Sequence, residues 1–382
     1  MILSAVLVVF GLLLGITATQ LWDLRLSGVI VVPLFAIYTL YDLAALPVLV
    51  VSVAVAYGGL ALLTERTLLY GRQLLYAAIA FGALVPLALI GVARALGLAT
   101  YSIEMYALGS ILPGIAAYNM YKVDRERLLD DVVASVSAYV ALVVIGVAFV
   151  SQTTASWLGE WSPVLFSPGA DVAQFRDVAI TGGELGTVHE PVVGIGVVFA
   201  GLAVAMLIET VWNVRLAGII ALPLLALFVV VHPLVLVFYV GCVGATYALI
   251  QLIHQQTLVY GRVLLSLAVA IAVVLSIPVA MTTGVPGHHL LFVALLSGVG
   301  AYNVHRLSGT ELRQSVCLST AVLSGFVLLV SVLSGPPPIP GGGAVLLLVT
   351  GIAAVPGLLT ATRLEHRRRR DRDRLTMGVQ PE

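Results

Sequence analysis

Apolar runs of roughly 15 to 23 residues alternate with short charged clusters along most of the chain. A helix of that length spans or nearly spans the hydrocarbon core of a bilayer. In the first part of the chain we predict helices at 1–18, 27–41, 43–63, 72–93, 105–121 and 131–151. In the second part we predict helices at 192–209, 216–231, 233–253, 262–282, 288–304 and 312–334, followed by a last one at 344–362. The pattern predicts an all-α polytopic membrane protein with about 13 helices.

Composition supports this class and excludes a soluble domain. Sixty per cent of the residues are hydrophobic, only 10% are charged, and the mean hydropathy is +1.09. A soluble domain usually carries roughly a quarter charged residues. With the N-terminus outside and the C-terminus in the cytoplasm, every Lys and Arg except Arg94 and Arg176 lies on the inner side, as the positive-inside rule requires. We therefore predict a multi-pass protein of the cell membrane in that orientation.

Three blocks of residues occur twice and in the same order, which indicates a duplicated unit. The first two blocks recur 190 residues later: Trp22, Arg25, Gly28 and Pro33 as Trp212, Arg215, Gly218 and Pro223, and Thr67, Tyr70, Gly71 and Arg72 as Thr257, Tyr260, Gly261 and Arg262. The third block, 114–119, recurs 184 residues later as 298–303. Because each copy has six predicted helices, an even number, we expect two parallel repeats. The first apolar run matches 192–209 in mid-chain, so we interpret it as a retained helix rather than a signal peptide.

The predicted domains follow from the repeat. They are a first membrane repeat (1–151), an extracytoplasmic linker (152–191), a second membrane repeat (192–334), a hinge with an extra transmembrane helix (335–362) and a basic cytoplasmic tail (363–382).

In the first copy the second and fifth predicted helices are short and contain Gly and Pro, which suggests a further symmetry inside each copy. If each copy is a 3+3 inverted repeat, these two helices occupy corresponding positions. Interrupted helices at such positions often line a central site, whereas ordinary Pro-kinked helices remain the alternative. The residues of these broken-helix motifs are Gly28, Pro33, Gly109, Pro113, Gly114, Gly218, Pro223 and Gly298.

The same motifs carry a resemblance to a known family. Residues 28–33, 69–72 and 109–119 together resemble the small membrane subunit of bacterial poly-γ-glutamate capsule synthesis, the CapC/PgsC type. The resemblance covers 1–150 and, more loosely, 192–335, so that the chain is similar to a tandem-duplicated form. It departs from the family pattern at Leu34 and Leu224, where the family has Gly, and at Ser297, where the first copy has Pro.

The resemblance implies a subunit of a cell-envelope assembly that synthesises and exports an anionic polymer. The partners that the resemblance implies are a cytoplasmic ATP-dependent ligase and a membrane-anchored extracellular subunit. Membrane lipids surround the chain, and both a monomer and a homo-oligomer are open at this point. The chain itself has no phosphate-binding loop ending in Lys-Ser/Thr and no Ser/His/Asp or Cys/His arrangement, so we expect a non-catalytic subunit without cofactors. We expect no metal at His288–His289, which we place in an outer loop, and no nucleic acid at the basic tail, which suits lipid head groups.

Four arginines are the candidate entry site for the polymer, because a guanidinium binds a carboxylate through two parallel hydrogen bonds. Backbone N–H groups at broken-helix N-termini would add an anion cradle. The alternative for each arginine is an interfacial anchor. The candidate arginines are Arg72, Arg262, Arg25 and Arg215. Tyr70 and Tyr260 are added as candidate contacts, with interfacial aromatics as the alternative. Asn119 and Asn303 are also added, with a hydrogen bond between helices or a helix cap as the alternative. We expect Glu209 to pair with Arg215.

Three functions remain open at this point. The first is the fused membrane subunit of a polyglutamate synthesis and export complex, which guides the polymer and docks the ligase. The second is a stand-alone secondary transporter for a small organic anion, which a parallel duplication also fits. The third is a non-conducting membrane scaffold that recruits a ligase.

Overall fold

The computed structural model describes residues 1–96, 109–158, 163–180, 191–283, 285–334 and 342–376. The start of the predicted helix 105–121, parts of the predicted linker and hinge, and the end of the predicted tail lie outside these residues. Within them the chain forms helices and no strands, which confirms the predicted all-α class. Helices are the expected outcome, because a chain in hydrocarbon must satisfy every backbone polar group internally.

The first repeat and the segment that follows it contain nine helices among the described residues. These are α1 (Ile2–Trp22), α2 (Val31–Tyr41), α3 (Ala45–Arg66), α4 (Arg72–Ala95), α5 (Leu112–Tyr121), α6 (Arg125–Phe149), α7 (Gln152–Leu158), α8 (Pro163–Phe166) and α9 (Asp171–Phe175). The second repeat and the C-terminal part continue with α10 (Pro191–Trp212), α11 (Ala221–Val231), α12 (Leu234–Gln256), α13 (Gly261–Thr282), α14 (Gly287–His305), α15 (Gly309–Ser334) and α16 (Gly342–Thr376).

The helices of the described chain differ in whether they are long enough to span a bilayer. Eight helices of the described chain are long and apolar enough to span, whereas α2 and α11 have only 11 residues each. At 1.5 Å per residue an 11-residue helix is about 16 Å long, roughly half the hydrocarbon thickness. The second helix of each repeat is therefore a half-length helix, and so is α5 with 10 residues.

The prolines of the motifs lie in the first turn of these short helices. Pro33 and Pro223 are the third residues of α2 and α11, and Pro113 is the second residue of α5. In the first turn a missing N–H costs little, because that donor has no intrahelical partner. Pro33 packs against Gly11, and its counterpart Pro223 packs against Gly201.

Three helices extend through charged segments that were assigned to loops. Helices α6 and α15 begin at Arg125 and Gly309, earlier than predicted, and α16 continues through the predicted tail to Thr376. Glu365 of α16 pairs with Arg368 and Arg369 one turn later at 3.7 and 3.1 Å, a spacing that stabilises helices. The hydrogen bond from Arg369 lowers the pKa of the Glu365 carboxyl most, and the hydrogen bond from Trp212 lowers it further. The contact with Trp212 also holds this basic extension near the end of α10.

The two repeats interlock through equivalent helices. The first helix of each repeat packs against the fourth helix of the other, α1 against α13 and α10 against α4. Within each repeat the third, fourth and fifth helices pack together, and the second packs against the sixth. The core is continuous across both repeats. Residues at the start of the fourth helix of one repeat therefore lie beside the loop that follows the first helix of the other.

One motif glycine in each repeat allows a close crossing between two helices. A Cβ at Gly114 would lie 2.5 Å from the Ala78 carbonyl oxygen, and one at Gly298 would lie 2.9 Å from the equivalent Ala268 oxygen. These glycines bring the fifth helix against the fourth, as small residues do in membrane helix packing. The contacts of these two glycines are therefore those of helix packing.

Candidate functional site

The recurring arginines gather at one end of the helix bundle, which we call the basic face. Three neighbouring cavities connect them: one is lined by Arg25 and Arg262, one by Arg262 and Arg306, and one by Arg306, Arg72 and Arg215. The four arginines predicted from the repeat thus lie at one face but form two separate pairs, each with one member from either repeat. Arg306 was not among the candidates from the sequence, although it comes shortly after Asn303 of the third motif.

The Tyr-Gly-Arg motif sets the position of one arginine in each pair. Gly71 and Gly261 have φ values of 62° and 66°, a left-handed conformation that costs glycine little. The turn starts the fourth helix at or next to the arginine, so that Arg72 and Arg262 lie in the first turn at the basic face. The motif therefore places a guanidinium group at the basic face, between the two repeats.

Arg72 lies among groups of the second repeat, and we call this cluster the Arg72 site. Its side chain is 33% exposed and its Nη1 lies 3.7 Å from Glu209 Oε1. That Nη1 is buried and donates no hydrogen bond to any described residue. Arg215, Asn303 and Arg306 line the same small cavity. The Arg72 site thus holds three guanidinium groups and one carboxylate, and one of its guanidinium nitrogens still has a hydrogen bond to give.

Glu209 corrects one expectation. It pairs with Arg72 of the first repeat, and not with the neighbouring Arg215, and its Oε2 accepts a hydrogen bond of 2.8 Å from Tyr76 Oη. Sequence proximity favoured Arg215, but the packing of α10 against α4 brings Glu209 to Arg72. Because Thr19 occupies the equivalent position in the first repeat, this ion pair has no counterpart there.

Arg262 lies in the equivalent position beside the first repeat, in a more open cluster that we call the Arg262 site. Its cavity has a volume of about 470 Å³ and is lined by Tyr260 from the second repeat and by groups from the first repeat, among them Arg25, Asp23, Asp124, Arg127 and Asp131. Arg127 and Asp23 form an exposed ion pair at 3.2 Å. Three arginines face three carboxylates here, so the charges of the Arg262 site balance.

Asp131 is a residue of the basic face that was not among the candidates predicted from the sequence. It is fully buried, and its carboxylate accepts hydrogen bonds from the backbone N–H groups of Arg25, Leu26 and Ser27, the last two at 2.9 and 3.1 Å. Leu26 and Ser27 have φ values of 48° and 49°, a costly conformation outside glycine. Asp131 therefore stabilises the loop that carries Arg25. The only signal in the sequence is a carboxylate in a helix where the second repeat has Ser315.

The expected anion cradle is consequently occupied by the protein itself. The amides ahead of α2 bind Asp131, while the N–H groups of Val31 and Val32 donate to the Gly28 carbonyl at 2.9 and 3.4 Å. In the second repeat Leu222 N–H donates to the Gly218 carbonyl at 3.0 Å. These amides are thus used internally, which leaves the arginine side chains as the candidate donors to an anion at this face.

The loop of the second repeat has a simpler arrangement. Ser319 Oγ accepts a hydrogen bond of 2.9 Å from Ala217 N–H, and Ser315, which replaces Asp131, is buried with an Oγ that bonds to no described residue. Within the loop 213–220 only Asn213 has a positive φ, 51°. Where serine replaces the carboxylate, the loop backbone thus has fewer residues with a positive φ.

The remaining predicted residues divide between packing and surface. Asn303 Nδ2 donates to the Ala217 carbonyl at 3.0 Å, and Asn119 Nδ2 donates to Ile115 within α5 while lying against Gly28, which has a φ of 114°. Both amides therefore support the arginine loops. Tyr70 and Tyr260 are 82% and 77% exposed, as interfacial aromatics would be. Gly109 lies against the ring of Tyr38, and Gly218 lies close to Ala221.

A central apolar cavity of about 320 Å³ extends from the Arg72 site into the bundle between the repeats. The short helices α2, α5 and α11, together with α14, provide most of its wall. The short helices of both repeats thus line a central space. The histidines predicted in an outer loop are instead in the first turn of α14, with His289 buried beside Phe228.

Together these features define a duplicated, multi-pass membrane protein with two arginine sites formed between its repeats. The family described as capsule biosynthesis CapC matches residues 10–129 and again residues 200–313. The chain belongs to this family, in tandem-duplicated form, and is a membrane protein of capsule biosynthesis. No curated protein matches the chain, and no solved structure does.

Proposed function

We propose that the chain is the membrane subunit of a complex that makes and exports a γ-linked polyglutamate, and that the Arg72 site receives the polymer's carboxylates. The observation that carries this proposal is the charge of that site. Three guanidinium groups face one carboxylate, and Arg72 Nη1 is buried without a hydrogen-bond acceptor among the described residues. An anionic group would accept that hydrogen bond and offset the excess positive charge.

The location of the site supports the same proposal. It lies at the basic face, beside which the arginine-rich extension of α16 is held by the Trp212–Glu365 contact. By the positive-inside rule this face is cytoplasmic, the side on which an ATP-dependent ligase would deliver the polymer. A ligase docked at this face and an extracellular subunit on the opposite one are the partners we propose.

The test is binding of a γ-linked glutamate oligomer to the full chain in nanodiscs. We expect Arg72→Gln to weaken binding at least tenfold, because a charge-assisted bidentate contact is lost. Arg66→Gln, a matched loss of charge at an exposed site on α3, should leave binding unchanged. Equal binding by wild type and Arg72→Gln would overturn the assignment of the site.

A second measurement separates the complex from the other two functions. Under mild detergent we expect an amide ligase to copurify with the chain, and we expect Arg72→Gln to abolish polymer secretion while retaining the ligase. Loss of ligase from the variant would indicate a scaffold instead. Uptake of labelled glutamate by proteoliposomes containing this chain alone would indicate a small-anion transporter.

A further inference from the structure

The central cavity differs chemically from the Arg72 site that it adjoins. Its wall is formed almost entirely by Ile, Leu, Val and Phe side chains, and its polar groups, Arg72, Tyr76 and Asn303, lie together. Along α14 the lining runs from Asn303 to Phe292, a distance of about 16 Å at 1.5 Å per residue. The cavity is thus a deep apolar space with a cationic entrance.

Such a space does not suit the polymer itself. A γ-linked polyglutamate carries a carboxylate on every residue, and an uncompensated carboxylate in an apolar surrounding is costly. The volume of about 320 Å³ nevertheless lies within the range of ligand pockets. The occupant that matches both ends has an apolar chain and one anionic head.

We propose that the cavity binds a single-chain anionic amphiphile from the membrane. Its hydrocarbon chain lies between α2, α5, α11 and α14, and its carboxylate or phosphate head contacts Arg72, Arg215 and Arg306. The charge excess of the Arg72 site favours such a head, and burial of a chain inside the cavity removes apolar surface from contact with water at the entrance. This proposal concerns a second ligand and does not depend on whether the same arginines also receive the polymer.

Photolabelling tests the proposal directly. The full chain in nanodiscs is labelled with palmitic acid that carries a diazirine on its chain, and the labelled residues are mapped by mass spectrometry. We expect labels on α11 and α14 within the cavity lining. Unlabelled palmitate or hexadecyl phosphate should compete, and the stronger competitor identifies the head. Competition by hexadecanol as strong as by palmitate, or by acetate or inorganic phosphate alone, would overturn the proposal.

Two pairs of variants separate the chain site from the head site. Leu295→Trp fills the cavity and should reduce labelling about tenfold, whereas Val237→Trp adds the same ring at a position that is 71% exposed and should not. Arg215→Gln should reduce labelling about fivefold, and Arg66→Gln should leave it unchanged. Leu295→Phe is a milder filling variant if the tryptophan unfolds the protein.

The same variants distinguish this proposal from the proposed function. Leu295→Trp should reduce amphiphile labelling about tenfold and still bind the glutamate oligomer, because the arginines remain. Labelling that persists in a folded Leu295→Trp or Leu295→Phe protein would overturn the amphiphile proposal, whatever the oligomer does.

Discussion

The Arg72 site and the Arg262 site occupy equivalent positions between the two repeats, yet their charges differ. The Arg72 site has three arginines and one carboxylate, in a small cavity that opens into an apolar space. The Arg262 site has three arginines and three carboxylates in a larger open cavity. The repeat places a guanidinium in both, whereas the neighbouring residues decide whether its charge is balanced within the site.

The comparison also shows that each site is built from both copies of the unit. Each site takes its Tyr-Gly-Arg arginine from one repeat and its loop arginine from the other. A single copy would lack half of every site and would need a partner copy to supply it. Fusion of two copies allows the two sites to diverge, because each can change without its symmetric counterpart.

The largest expected effect distinguishes the two arginine loops. Asp131→Ala leaves three backbone amides, two of them buried, without their acceptor, and we expect it to lower the free energy of unfolding by about 3 kcal/mol. Ser315→Ala, at the equivalent position, removes a hydroxyl that bonds to no described residue and should change stability by less than about 0.5 kcal/mol. Thermal unfolding in detergent measures both, and equal losses would contradict a special role for the carboxylate.

Oligomer binding should differ between the sites themselves. We expect Arg72→Gln to weaken binding of a γ-linked glutamate oligomer by about 2 kcal/mol, the range of charged hydrogen bonds. Arg262→Gln should weaken it by less than about 0.5 kcal/mol, because that arginine already faces three carboxylates of its own site. Calorimetry on nanodiscs provides the measurement. A larger effect from Arg262→Gln would reverse our assignment.

The helix crossings should respond alike in both repeats. Gly114→Ala and Gly298→Ala each place a Cβ against the backbone of the fourth helix. We expect each to lower the free energy of unfolding by roughly 1–3 kcal/mol through overpacking. Gly91→Ala, where a Cβ would contact nothing within 4 Å, is the matched control in unfolding experiments. A neutral result at either glycine would show that its crossing can widen without loss.

The smallest expected effect comes from converting one site toward the other. Asp23→Asn removes the partner of Arg127 and leaves the Arg262 site with a positive excess. We expect oligomer binding to tighten by about 0.2–1 kcal/mol, since the pair is exposed. The gain should disappear in the double variant with Arg262→Gln, and a gain that persists there would point to another surface.

Particular residues show which parts of this arrangement could be predicted. The recurrence of Trp22, Arg25 and Arg72 predicted equivalent arginines in both repeats, and their gathering at one face follows from it. The predicted partner of Glu209 was wrong because Arg215 is nearer to it in the sequence, whereas helix packing brings Arg72 beside it. Asp131 was missed because a single carboxylate in a helix gives no sign of the loop it holds.

By itself the sequence determined the membrane setting, the helical class, the duplication and the family, because each depends on local composition and on recurring motifs. Only the tertiary structure decided that the two arginine pairs form across the repeats, that one is neutralised and the other is not, and that an apolar cavity adjoins the second. Those properties depend on distances between residues far apart in the chain, such as Arg72 and Glu209, and local patterns carry no information about such distances.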